Sequence, residues 1–221
     1  MKTNPIRVAR AMFVQDCMTS NPITITLDTP IFQALDIMTR RKVRHLPVFQ
    51  GSRLVGLVTE RGLLQVSPSP ATTLSMHELN YVLAKVTVKE ALVKDPVWVP
   101  PQMPIEEAAQ VMRQKKIGSL LVMEDGKLVG IVSQTDIVEA LVRLFGLHRA
   151  GTRLVIDTED RVGVLADITQ FFKERGINII SVVTMRRDEK RFHLVFRVSI
   201  ADAGALVAEI EGLGFKVVSV S

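Results

Sequence analysis

The sequence predicts an α+β protein: two copies of a β-α-β-β-α unit followed by a separate βαββαβ unit. Three observations predict it. Residues 14–64 slide by 74 positions onto 88–138 without a gap, so that Pro22 meets Pro96, Pro30 meets Pro104, Met38 meets Met112 and Leu54-Val55-Gly56 meets Leu128-Val129-Gly130. Within each copy the apolar residues switch between an alternating period and a helical one. From Arg153 onward the pattern becomes strand, helix, strand, strand, helix, strand, a ferredoxin-like order.

In the first copy Ile23 and Ile25 alternate as a short strand. Thr29 is placed to cap a helix with Pro30 in its first turn, and Ile31, Ala34, Leu35 and Met38 form the buried stripe. A hairpin follows over His45 to Phe49 and Leu54 to Thr59, turning at Gly51. The second copy keeps this plan, with Asp125-Gly126 as a two-residue hairpin turn. Between the copies, Ser67-Pro68-Ser69-Pro70 opens a loop, and Glu78, Leu79, Tyr81, Val82 and Leu83 are spaced as a short helix. The last unit reads as a strand at Leu154 and Ile156, a helix from Leu165 to Arg175 stopped by Gly176, strands over Ile177 to Met185 and Phe192 to Val198, a helix from Gly204 to Ile210, and a strand from Lys216 to Val220. The resulting limits are 1–13 for an N-terminal segment, 14–66 and 86–148 for the two copies, 67–85 for their linker and 151–221 for the last unit.

A net charge of +5 suggests nucleic acid until it is divided along the chain. Residues 1–66 hold nine Lys/Arg against four Asp/Glu, whereas 67–150 and 151–221 balance at nine against nine and ten against ten. The excess is concentrated in Arg40, Arg41, Lys42 and Arg44, beside His45. The first three read equally as a solvated helix end; Arg44 and His45 run into an apolar strand and point toward whatever lies over the sheet edge. These basic residues are interleaved with core positions, and the chain has one Tyr and one Trp, so nucleic-acid binding is not expected. No run of about 18 apolar residues exists to span a membrane. The short patch Ala11 to Val14 is cut by Gln15 and Asp16, too early for a signal-peptide core, and a cytoplasmic address is expected. The single cysteine, Cys17, excludes an intramolecular disulfide and reads as a small buried side chain.

Catalysis finds little support. The four histidines, His45, His77, His148 and His193, show no ligand spacing, no phosphate-binding Gly-Lys-Ser/Thr loop occurs, and Glu106 and Glu107 lie where acids offset a helix dipole. No enzyme activity, metal or required cofactor is expected.

The duplicated pattern over 14 to about 142 resembles the CBS-domain pair. The most specific piece is Gly130-Ile131-Val132-Ser133-Gln134-Thr135-Asp136, similar to the Gly-hydrophobic-x-Ser/Thr-x-x-Asp element of nucleotide-binding repeats. A carboxylate at a helix start can accept both hydroxyls of a ribose, and a hydroxyl three residues earlier can reach the phosphate side. The same spacing also makes a plain helix cap. The first copy has Gly62 where the second has Asp136, so its half-site lacks the ribose acceptor. The resemblance implies one nucleotide pocket formed by Ile131, Ser133, Thr135 and Asp136 with Thr19, Asn21, Ile23, Thr24, Val43, Arg44 and His45. It implies a mirror pocket at Trp98, Ile117, Gly118 and Ser119 with neither carboxylate nor cation.

Asp160-Arg161-Val162-Gly163-Val164-Leu165-Ala166-Asp167-Ile168, with Gly176-Ile177-Asn178-Ile179, resembles the ACT domain. That implies an amino-acid site at Asp160, Gly163, Val164, Leu165 and Asn178, where Gly163 would let backbone approach a ligand at a helix N-terminus. The alternative is a tight turn in a unit that serves dimerisation. End to end, the order is similar to the acetoin-utilisation AcuB-like proteins, which implies regulation near carbon metabolism. The reading is therefore a non-catalytic homodimeric sensor of AMP, ADP, ATP or S-adenosylmethionine acting on a partner protein, with Val183 and Phe196 buried on the two-fold. A ligand-free adaptor and an amino-acid sensor stand as alternatives.

Overall fold

The computed structural model describes residues 12–67 and 86–221, and the chain divides into two compact units, Met1–Ile137 and Val138–Ser221. The linker helix expected around Glu78 to Leu83 lies outside the described residues, as does Ala11 at the start of the short N-terminal patch.

In the first unit the strands are β1 (Thr19–Ser20), β2 (Ile25–Thr26), β3 (His45–Gln50), β4 (Arg53–Thr59), β5 (Trp98–Val99), β6 (Ser119–Glu124) and β7 (Lys127–Ser133). The equivalent helices Ile31–Arg41 and Ile105–Lys115 bury Ile31, Ala34, Met38 and Ile105, Ala108, Met112, the same spacing in both copies and one face of a helix. Both helices stop on a left-handed lysine, Lys42 at φ 55° and Lys116 at φ 54°. Both hairpins turn where expected; Asp125 and Gly126 take positive φ together, as a primed two-residue turn requires.

Three expectations change here. Thr29 does not cap the helix: Pro30 is the cap residue, and Thr29 Oγ1 instead accepts from the Thr26 N–H at 3.2 Å, tightening the turn out of β2. Ile23 lies outside the strand and is exposed; Ile25 takes the inward position. Cys17 is half-buried rather than buried.

Periodicity does not reveal that the repeats exchange their opening segments. The Val14 and Gln15 N–H groups donate to Met103 and Pro101 at 2.9 and 3.0 Å, and β1 pairs antiparallel with β7, Thr19 opposite Ile131. In return the Ile31 N–H donates to Val86 at 3.1 Å, and Leu57 and Val93 exchange bonds of 3.1 and 2.9 Å. One sheet therefore runs β1-β7-β6-β5 and the other β2-β3-β4. Gly56 and Gly130, 74 positions apart, are where the exchanged segments cross. A Cβ at Gly56 would lie 2.6 Å from the Val93 carbonyl oxygen, and one at Gly130 would overlap the Met18 thioether.

The second unit is β8 (Thr152–Glu159), helix Val164–Glu174, β9 (Ile179–Arg186), β10 (Arg191–Val198), helix Gly204–Gly212 and β11 (Lys216–Val220). Its four strands are antiparallel in the order β11-β8-β10-β9. Leu154, Ile156, Leu194, Phe196 and Val198 face both helices, with Phe172 edge-on to Phe196 at 5.1 Å. This overturns the placement of Phe196 on a two-fold axis. Strand β10 is interior, its even-numbered residues turn to the helices, and Phe196 is 0% exposed; the edges are β9 and β11. Among the described residues, no helix is long and apolar enough to cross a membrane, and no three His, Cys, Asp or Glu side chains cluster to hold a metal ion.

Candidate functional site

The cleft is built by backbone geometry at two helix ends. At the first, the left-handed Lys42 turns the chain so that the Val43 N–H returns to the Met38 carbonyl at 3.0 Å, a Schellman-type stop. The next three residues, Val43, Arg44 and His45, are thereby delivered to the mouth of β3. At the second, β7 ends on Ser133 and the helix Gln134–Leu144 begins at once. Segment exchange brings Thr19 alongside β7, and Asn21, whose φ is 48°, turns the chain away from it.

These elements enclose a cavity of about 430 Å³. Thr19, Asn21, Ile23, Val43, Arg44 and His45 from the first repeat and Ile131, Ser133, Thr135 and Asp136 from the second line it. Thr24 is exposed and does not line it. Sequence reasoning missed Pro22, Lys42, Gly118 and Gln134, which do. Lys42 reads in the sequence as part of the same solvated helix end as Arg40 and Arg41; its match to Lys116, 74 positions on, is the signal that marks it as a stop position. The resemblance assigns Gly118 to the mirror pocket. The structure sets it against His45 instead, where an added Cβ would lie 3.2 Å from Nε2, because the equivalent loops of the two repeats meet there.

Asp136 and Ser133 form a reciprocal cap. Asp136 Oδ2 accepts from the Ser133 N–H and from the Ser133 hydroxyl, both at 2.7 Å, and Ser133 Oγ accepts in turn from the Asp136 N–H at 3.4 Å. Oδ1 makes no hydrogen bond among the described residues, so this carboxylate caps its helix through one oxygen and leaves the other unengaged there. The serine hydroxyl proton is committed to Asp136, so Ser133 in this arrangement is an acceptor toward the cleft rather than a donor to a phosphate. Two cations line the same cavity. Arg44 Nε lies 3.8 Å from Glu60 Oε2, a loose and exposed pair, and Lys42 has no carboxylate partner among the described residues. Burial, then the Arg44 charge, holds the His45 imidazole below its usual 6.5 against the opposing pull of Glu60, so His45 is neutral near pH 7.

The first copy shows what is lost without the carboxylate. Thr59 Oγ1 accepts from the Gly62 N–H at 3.0 Å, half of the cap, and Gly62 supplies no acceptor. Trp98, 61% exposed, lines a groove of about 420 Å³ with Leu54, Val55 and Asp95.

In the second unit, Gly163 caps helix Val164–Glu174 at φ 88°, and a Cβ there would meet nothing within 4 Å. That positive φ by itself calls for glycine. Val164 is buried, Leu165 and Asn178 are exposed, and Asp160 accepts from Arg186 at 3.4 Å.

The CBS domain profile matches residues 14–69 and 88–143, half of the chain. The chain belongs to the CBS-domain family. An ACT domain match over 152–215 follows the CBS pair. The inosine-5'-monophosphate dehydrogenase of Aquifex aeolicus is 29% identical over 184 residues, 79% of this chain but 34% of that protein, so the chain spans about a third of that relative's length. Among solved structures, AcuB from Vibrio cholerae is 28% identical with a TM-score of 0.50, covering 62% of this chain and 94% of that one. CBSX2 from Arabidopsis thaliana is 26% identical with a TM-score of 0.51, covering 63% and 99%; CBSX2 has also been solved in complex with AMP.

Proposed function

We propose that this CBS pair is a non-catalytic sensor of a phosphorylated adenosine nucleotide, one per chain, bound in the cleft headed by Asp136. The observation that carries the reading is that one cavity is lined both by Asp136, whose Oδ1 has no hydrogen-bond partner among the described residues, and by the cations Lys42 and Arg44. Oδ1 suits a ribose diol, and the cations suit a phosphate; Ile23, Val43 and Ile131 line the same cavity and suit a base. The same cations disfavour S-adenosylmethionine, whose sulfonium would enter beside like charge. The likeness to CBSX2, which takes AMP, supports this choice. The likeness to AcuB supports a role in acetoin or central carbon metabolism, exerted on a partner protein by a homodimer.

Calorimetry of the full chain against AMP and S-adenosylmethionine tests the reading. AMP is expected at one equivalent per chain and S-adenosylmethionine at least about tenfold weaker. Two charge-assisted bonds of roughly 1.5–3 kcal/mol each set the loss in Asp136→Ala at about 100-fold or more. A change below about threefold would leave Asp136 as a cap only.

A further inference from the structure

The ACT sheet is covered by helices on one face. Its other face is set by the register of β10, where Val195 stands opposite both Val155 on β8 and Val183 on β9, and Arg197 stands opposite Arg153 and Ser181. The turn after helix Gln134–Leu144 folds over part of this face. Ser181 Oγ donates to the Phe145 carbonyl at 3.0 Å, and the Arg197 guanidinium donates to the Arg149 carbonyl at 2.9 and 3.3 Å. Between turn and sheet lies a cavity of about 280 Å³ with apolar walls from Phe145, Leu147, Val183 and Val195.

Two arginines complete the lining, Arg153 and Arg197. They are direct cross-strand partners, an arrangement of like charges that costs stability when nothing compensates it. Neither has a carboxylate partner among the described residues. Two same-face positions along β8 the contrast is plain: Asp157, 4% exposed, accepts from Arg191 at 2.9 Å and Arg187 at 3.0 Å. The basic residues around Asp157 are answered by a carboxylate, and those at the cavity are not.

We propose that this cavity binds a small apolar carboxylate, with its chain among Phe145, Leu147 and Val195 and its head group shared by Arg153 and Arg197. Guanidinium and carboxylate match in charge and in fork geometry. The volume falls just under the roughly 300–1,000 Å³ of drug-sized sites, which fits a ligand smaller than those. An amino acid fits less well, because the cavity lining offers no carboxylate to its ammonium group. A second copy laid on this face would bring the same uncompensated arginines into a buried interface, where like charge is penalised.

Calorimetry and ligand-observed NMR of the full chain with hexanoate test the site, with hexanamide and leucine as controls. Hexanoate is expected to bind once per chain, and the neutral amide and the zwitterion about tenfold more weakly or worse. Arg153→Gln should weaken hexanoate by a similar factor, Arg153→Lys should recover part of it, and Asp136→Ala should leave it unchanged. The site is refuted by no saturable binding up to about 10 mM, by equal affinity for acid and amide, or by full affinity in Arg153→Gln. It is also refuted if the full chain self-associates, Val183→Lys dissociates it, and hexanoate does not compete, since a second copy then covers the face.

Discussion

His45 is where the chemistry of a single residue bears most directly on the cleft. Its imidazole is held neutral mainly by burial, with Arg44 adding to the effect and Glu60 opposing it. Because the folded pKa lies below that of the unfolded chain, the unfolded state takes up a proton first as pH falls through about 6.5. The stability that His45 contributes is therefore present above that pH and lost below it. Denaturant titrations between pH 5 and 8 should show a slope of stability with pH that is reduced in His45→Gln. An unchanged slope would place the titration elsewhere. Asp136 presents a different separation, since Asp136→Ala removes a helix cap worth about 1 kcal/mol along with the proposed ligand contact. The melting temperature of the free protein reads the cap, and AMP affinity reads the contact.

Among the elements, the two crossing glycines make a comparison that the duplication itself supplies. Gly56 and Gly130 occupy equivalent places, but their neighbours differ in compliance. An added methyl at Gly56 meets a backbone carbonyl, Val93, and the Leu92 side chain, whereas at Gly130 the three nearest atoms all belong to the Met18 side chain, which can rotate away. Gly56→Ala should cost about 1–3 kcal/mol by overpacking and Gly130→Ala distinctly less, measured by urea denaturation. Equal costs would mean that the exchanged segments yield as easily through backbone as through side chain. In the ACT unit, Asp157 plays the corresponding organising part. Its carboxyl is held below the usual range first by the hydrogen bond from Arg191, then by the charges of Arg191, Arg187 and His193. A carboxylate with a depressed folded pKa contributes stability above its unfolded value, lost as pH falls through the folded one. Asp157→Asn should lower the melting temperature of this unit by at least about 4 °C at pH 7 and by less at pH 3.

For the whole molecule, the division into two units at Ile137 and Val138 predicts how binding and assembly separate. Every residue of the proposed nucleotide site lies at or before Asp136. A chain ending at residue 150 should keep AMP affinity within about threefold while self-associating more weakly, by equilibrium titration and light scattering. A large loss of AMP affinity would show that the ACT unit supports the cleft. One equivalent of AMP per chain is expected throughout, and Gly62→Asp alone should not add a second, because the equivalents of Arg44 and His45 in the other copy are Gly118 and Ser119.

The sequence by itself determined the duplication, the α+β class, both domain families and most of the cleft. Periodicity 2 against 3.6, a fixed offset of 74 and the swap of Asp136 for Gly62 are written in the order of residues, because local backbone preference and side-chain alternation act over a few positions. Only the tertiary structure decided that each repeat begins in the other's sheet, that Gly118 belongs with His45, that β10 is interior and Phe196 buried, and that Thr24 leaves the cleft. It also showed that Arg153 and Arg197 stand side by side over an apolar cavity. Those facts depend on which strand edge satisfies which backbone groups across tens of residues, and long-range pairing is set by the competition among whole surfaces rather than by any local pattern.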